Sequence, residues 1–203
     1  IYLEVFATLK DGASAMAQSN LPLVSYSEEP KLVPVAGQPW DELVAVQKLL
    51  AEHNESLRLL HKAAALGGRA RYPTRFKQRR NIRLGHPQSM YLSARLLSLE
   101  ANVKAHEGHA HEVVKSIQAL IALARSLERE PVVNSGLARN FILGKTCDLL
   151  TRLMPSIDFA EDDLKQLQRD IRAITHREPL RRALLGDRVF GIIAHQDPNT
   201  AGV

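Results

Sequence analysis

The stretch from Gln88 to Leu127, QSMYLSARLLSLEANVKAHEGHAHEVVKSIQALIALARSL, decides the fold. Before Gly108, the apolar residues Met90, Ala94, Leu97, Ala101 and Ala105 recur at steps of three and four; after it, Val113, Val114, Ile117, Leu120, Ile121, Ala124 and Leu127 do the same. That period puts each set on one face of an α-helix. Gly108 and a few polar neighbours are too short a link for anything but antiparallel helices. A glycine here suits the left-handed residue that ends the first helix. The stretch therefore predicts a helical hairpin whose two stripes face each other or share a third helix.

The same period extends outward in both directions. Towards the C-terminus, a helix opens after Glu130-Pro131 and runs to Met154, where Pro155 stops it. Asp158 or Ser156 is positioned to cap the next helix, with Leu164, Leu167, Ile171 and Ile174 on its apolar face. Glu178-Pro179 opens a last helix through Leu184, Leu185, Val189, Ile192 and Ile193. Towards the N-terminus, His86-Pro87 begins the first helix of the Gly108 hairpin. Another starts at Pro39-Trp40-Asp41-Glu42 and carries Leu43, Val46, Leu50, Leu57, Leu60 and Ala64 to Gly67-Gly68, with a break near His53-Asn54. Tyr2, Val5, Phe6 and Leu9 mark the tail of a further helix. The 44 residues from Pro87 to Pro131 match the length of a two-helix repeat unit.

The expectation is an all-α fold of antiparallel helical hairpins, a tetratricopeptide-like array or an orthogonal bundle, in a single helical domain over residues 1–203. Residues 18–39 hold Pro22, Pro30, Pro34 and Pro39 and read as an extended strap anchored by Leu21, Leu23, Val24, Leu32, Val33 and Val35. Residues 69–85 read as a basic connector and residues 196–203 as a frayed tail. At 45% hydrophobic but only 5% aromatic, with Leu and Ala filling the periodic segments, the composition favours helix-on-helix packing over a sheet. A lone cysteine, Cys147, excludes an intrachain disulfide. No run approaches the roughly 20 apolar residues of a transmembrane helix. Residue 1 is Ile rather than Met, which reads as the loss of an N-terminal piece such as a signal or anchor.

The net charge of +5 is unevenly placed: from Gly67 to Leu99 the chain carries eight cations and no acid, leaving −3 for the remainder. Arg69 to Arg83 alone holds seven cations with Tyr72 and Phe76 interleaved, a composition able to neutralise phosphates and stack on bases. Arg75, Lys77, Arg79 and Arg80 are its candidate anion-binding residues. The acids Asp158, Glu161, Asp162 and Asp163 are an internal alternative for the same charges.

Two other segments invite chemistry. His106-Glu107-Gly108-His109-Ala110-His111-Glu112 gathers three imidazoles and two carboxylates, the donor types of a transition-metal site. Yet Gly108 interrupts the helix between them, so they lack the four-residue spacing of the zinc-protease helix. Gly144-Lys145-Thr146 imitates the end of a phosphate-binding loop, but Arg139 stands where its first glycine belongs and the surrounding period is helical. Gly144 reads instead as a point of close helix approach, and Cys147 as a buried small hydrophobe beside Leu143, Leu150 and Met154. No catalytic residue, metal ligand or cofactor site is assigned on these patterns.

A resemblance adds to this reading. Gly108 in the turn, Leu120, Leu123, Ala124, Arg125 and Leu127 before Glu130-Pro131, then Ser135, Leu137, Arg139 and Gly186-Asp187-Arg188, resemble a group of bacterial exported or membrane-anchored helical-hairpin proteins of uncharacterised activity. Arg71-Tyr72-Pro73 extends the match upstream. The resemblance implies an extracytoplasmic, periplasmic or cell-surface, tetratricopeptide-like protein. It departs from the tetratricopeptide pattern itself at Lys104, where an aromatic belongs. On function, the sequence points to a non-enzymatic module that binds a protein or peptide in a groove between hairpins. The alternatives are an anionic polymer or membrane surface bound through residues 69–83, and, more distantly, a metal-dependent enzyme built on residues 106–112. Nucleic acid is the least favoured partner of the basic segment.

Overall fold

The structure, a computed structural model, describes residues 1–9, 21, 33–35, 37–67, 70–72, 86–174 and 177–196; the side chains of Pro87 and residues 193–196 are outside that description. Residues 2–9 form a helix, α1. It is followed by α2 (Leu43–Glu52), α3 (Asn54–Ala65), α4 (Pro87–His106), α5 (Ala110–Ser126), α6 (Val133–Leu153), α7 (Glu161–Arg172) and α8 (Arg177–Gln196). The described residues contain no strand, so the all-α expectation holds.

The packing follows a simple alternation. From α2 to α8, each helix lies beside the one two positions on: α2, α4, α6 and α8 make one layer, and α3, α5 and α7 the other. Cross-layer packing joins α2 to α3, α3 to α4, α4 to α5 and α5 to α6, whereas α7 rests on α5 and α8 on α6 without touching each other. Residue pairs fix the directions. His61 meets Glu100 and Gln47 meets Glu107, so α2 and α3 approach α4 at successive levels. His111 meets Asp163 and Gln118 meets Asp170, a constant offset that makes α5 and α7 parallel.

The Gly108 turn forms as its sequence implies. The residue adopts φ +77°, the Gly108 N–H bonds to the Ala105 carbonyl at 3.1 Å, and the His109 N–H to the Lys104 carbonyl at 2.8 Å. These two bonds are the paired closure of a Schellman motif, which satisfies carbonyls left open at the end of α4. Gly67, at φ +58°, ends α3 in the same conformation. The break expected near His53 is also present: His53 sits between α2 and α3 outside helical geometry, at φ −105° and ψ 17°. Thr8 Oγ1 and Ser56 Oγ, 2.7 Å apart, hold α1 to α3.

Helix α4 departs from the one-face expectation. Leu92, Leu96, Leu99 and Val103 are buried together with the predicted stripe, because neighbours surround α4 on several sides. Ser98 fits this setting: its Oγ donates to the Ala94 carbonyl at 2.8 Å, so this small polar side chain is buried without an orphaned hydroxyl. Asn102, also buried, donates to the Ser98 carbonyl at 2.6 Å and accepts from Arg152 of α6 at 2.6 Å.

Helix α8 departs more sharply. Leu184, Leu185, Val189 and Ile192, placed on the apolar face by period, are 47–55% exposed, as is Leu180 beside them. The face that docks is Pro179, Ala183, Gly186 and Phe190. A Cβ on Gly186 would lie 2.0 Å from the Pro131 carbonyl oxygen, and one on Gly136 would lie 3.5 Å from Ala183 Cβ. At Gly186, Gly136 and Ala183 the approach is too close for a larger side chain, so the middle of this seam is made of small residues that carry little hydrophobic weight. Polar bonds complete it: Arg182 donates to the Glu128 carbonyl at 3.0 Å, and Asp187 accepts from the Val133 N–H at 3.4 Å, capping α6 from outside.

Three local expectations are corrected. Neither Ser156 nor Asp158 caps α7; Ala160 occupies that position, and Glu161, Asp162 and Asp163 supply negative charge to the first turn instead. Gly144 meets nothing within 4 Å of a Cβ, so the close approaches belong to Gly136 and Gly186. Cys147 is exposed, and Thr146 takes the buried position beside it. Of the expected strap, Val33 is buried, Leu21 packs against the core and Val35 is exposed; Leu23, Val24 and Leu32 lie outside the described residues. The helix continues through Gln196, and residues 197–203 are outside the description.

Candidate functional site

The outward stripe of α5, Glu112, Lys115, Gln118, Ala122 and Arg125, forms the floor of a trough of about 650 Å³. His61, Ala64, Ala65 and Gly67 wall it from the α3 side, Glu100 from α4, and Gln166 and Asp170 from α7. Thirteen helical steps separate Glu112 from Arg125, so the floor is about 20 Å long. Ala122 supplies the depth, since a small residue in the middle of a polar stripe leaves room above the helix.

Two carboxylates are held on opposite sides of this floor. Glu100 Oε2 lies 2.8 Å from His61 Nε2 and accepts from Ser116 Oγ at 2.7 Å. Asp170 accepts from Gln118 Nε2 at 3.0 Å and from Gln166 Nε2 at 3.2 Å. Glu112 differs: the Lys115 ammonium, donating at 2.9 Å, holds its carboxyl below the usual carboxylate range. At the other end, the Arg125 guanidinium has no hydrogen bond or ion pair among the described residues.

The order of contacts limits the chemistry. The single hydroxyl proton of Ser116 has the Glu100 carboxylate at 2.7 Å and the Glu112 carbonyl at 3.2 Å as acceptors, and is not directed at the imidazole. A nucleophilic serine needs the base on its own hydroxyl. This arrangement fixes the polar side chains against one another.

The residues singled out by sequence lie elsewhere. Arg75, Lys77, Arg79 and Arg80 fall outside the described residues. Tyr72, expected to be available for stacking, is buried: its hydroxyl lies 2.7 Å from Ser126 Oγ, and its ring stacks on His86 at 4.5 Å and on Phe6 at 5.9 Å. Two acids of the proposed internal partner are engaged with other groups, Asp163 with His111 at 3.0 Å and Glu161 with Lys165 at 2.7 Å. The turn histidines diverge. His106 meets the Trp40 ring edge-on at 5.7 Å, His109 approaches Glu107 at 3.3 Å, and His111 turns to α7. Among the described residues, no group of three or more His, Cys, Asp or Glu side chains is placed to hold a metal ion. Gly144-Lys145-Thr146 lies inside α6, where helical bonds engage the N–H groups a phosphate would need.

Sequence reading missed the trough because its walls lie far apart in the chain. A local signal existed in α5, where polar residues follow a helical step on the side opposite the core stripe, but such a pattern also describes any solvated helix face.

No protein-family model, curated protein or solved structure matches the chain.

Proposed function

We propose that the chain is a non-enzymatic protein- or peptide-binding module, a short tetratricopeptide-like array in which a bound chain lies in the trough over α5. The trough itself carries this reading: three helices from one layer enclose a space whose length fits about six extended residues. Its polar side chains are already fixed by one another, which lowers the ordering cost of binding. The alternation of packing partners from α2 to α8 supports the array.

A second reading rests on α8. Its outer face combines Leu180, Leu184, Leu185, Val189 and Ile192 with Arg181 and Arg188, an exposed apolar surface interspersed with cations that suits protein docking.

Amide-resolved NMR titration with a pool of random hexapeptides tests both. Shifts are expected along the trough residues of α3, α5 and α7, and Ala122→Trp should abolish them while leaving the helical circular dichroism intact. Shifts centred on Leu184 and Val189 would move the function to α8, and no shifts at millimolar peptide would defeat both readings.

A further inference from the structure

The trough is electrically polarised along its length, and this bears on what lies in it. At the level of Ser116 and Gln118, Glu100 and Asp170 flank the floor, oriented by an imidazole and a hydroxyl on one side and two carboxamides on the other. Carboxamides and a hydroxyl orient a carboxylate without cancelling its charge. Glu112 and Lys115 neutralise each other at the rim. At the far end, Arg125 points its fork of donors at no protein acceptor among the described residues. The lining also includes the apolar residues Ala64, Ala65, Ile121 and Ala122.

We propose that this trough binds a zwitterionic peptide segment in one orientation, with an ammonium group between Glu100 and Asp170 and a carboxylate on Arg125. The inference rests on the peptide-binding reading above and adds the ligand's charge pattern to it. Ser116 and Gln118, which mark the level of the two carboxylates on α5, lie nine and seven residues before Arg125. The poles are therefore about 10–14 Å apart along the axis. An extended chain covers that distance in three or four residues. Both charges gain from the match: Asp170 receives the cation that its carboxamide partners do not provide, and a guanidinium binds a carboxylate through paired hydrogen bonds. A uniformly acidic or basic segment would meet repulsion at one pole.

The charges have two possible sources, the free termini of a short peptide or side chains of a longer one. Tetrapeptide pools with free termini, with N-acetylated termini, with amidated C-termini and with both ends blocked separate the effects of each charge. A doubly blocked set carrying Lys and Glu three positions apart represents the side-chain source. Binding is measured by calorimetry on wild type, Arg125→Gln and Asp170→Asn, with thermal melts as a folding control.

Removing either ligand charge is expected to weaken binding about tenfold. Arg125→Gln should remove the sensitivity to C-amidation and keep that to N-acetylation; Asp170→Asn should do the converse. Blocked Lys/Glu peptides that bind as tightly as free tetrapeptides assign the charges to side chains, and those that fail assign them to termini. Pools that all bind equally would overturn the charge pattern and leave the trough reading standing. No binding by any pool would overturn both.

Discussion

Gly108 and Gly186 are both intolerant of a side chain, for opposite reasons. At Gly108 the space is open, with no atom within 4 Å of a Cβ, and the obstacle is the φ of +77°. Gly108→Val should cost on the order of 1–2 kcal/mol, while Gly108→Asn, which tolerates the left-handed region, should recover much of that loss. At Gly186 the backbone is helical and the obstacle is the Pro131 carbonyl, 2.0 Å from a Cβ. Gly186→Ala should cost about 1–3 kcal/mol, and asparagine should offer no relief. Thermal melts of the four variants check the contrast; an asparagine that rescued position 186 would count against the close approach. His86 makes a pH argument at the same scale. It is buried against Tyr72, and burial lowers its pKa from 6.5 to about 4. The folded protein therefore binds the His86 proton less readily than the unfolded chain. This contribution to stability is complete above about 6.5 and lost as pH falls towards 4. Glu130, whose Oε2 is 3.9 Å from His86 Nε2, has its carboxyl pushed up by burial, so its own contribution has the opposite sign, falling as pH rises above its unfolded value. His86→Phe keeps a ring against Tyr72 and removes one titration. Urea unfolding from pH 4 to 7 should show the acid loss of stability reduced in His86→Phe relative to wild type; an unchanged pH profile would contradict the assignment.

At the scale of elements, existence and order were legible and faces were less so. Proline at 87 and glycine at 108 are local backbone requirements, and they set boundaries that the structure reproduces. The buried face of α5 was legible because it is made of large residues at helical spacing. The face of α8 was not, because close packing against α6 selects small residues and leaves the leucines outside. Helix α7 repeats the lesson in polar form: Leu167 is its buried residue, and Asp163 and Asp170 meet α5 through hydrogen bonds, while Leu164 and Ile171 are exposed. Periodicity reports an amphipathic helix, but hydrophobic weight alone misplaces the contact when the contact is small or polar. A pair of substitutions on α8 tests this directly. Leu184→Glu combined with Val189→Glu should change stability by no more than about 1 kcal/mol, since both residues are about half exposed. Ala183→Leu, on the buried seam, should cost about 1–3 kcal/mol through overpacking. Denaturant midpoints measured side by side decide it: a larger loss in the double glutamate variant would return those residues to the core.

At the scale of the molecule, the two-layer alternation sets an order of local stability. Helices α4 and α5 each pack against at least four neighbours and hold most of the fully buried side chains, among them Leu92, Leu96, Leu97, Ile117, Leu120 and Leu123. Removing one of these by Leu→Ala typically costs about 2–5 kcal/mol, so opening either helix requires breaking the core as a whole. Helices α7 and α8 end their respective layers, each resting on a single helix. Opening α7 exposes Leu167 and breaks the Asp163 and Asp170 contacts; opening α8 exposes Ala183 and breaks the Arg182 and Asp187 contacts. Neither opening disturbs the other, because the two helices do not touch. Native-state hydrogen exchange should therefore resolve three levels: α7 and α8 exchanging through separate low-energy openings, α6 above them, and α4 with α5 only through global unfolding. Loosening α8 with Gly186→Ala should speed exchange in α8 and leave α7 unchanged. It should also leave the trough over α5 intact, since α7 and not α8 forms its wall. Equal protection across α4, α7 and α8, or coupled acceleration of α7 in Gly186→Ala, would contradict a layered array in which each end helix depends on one neighbour.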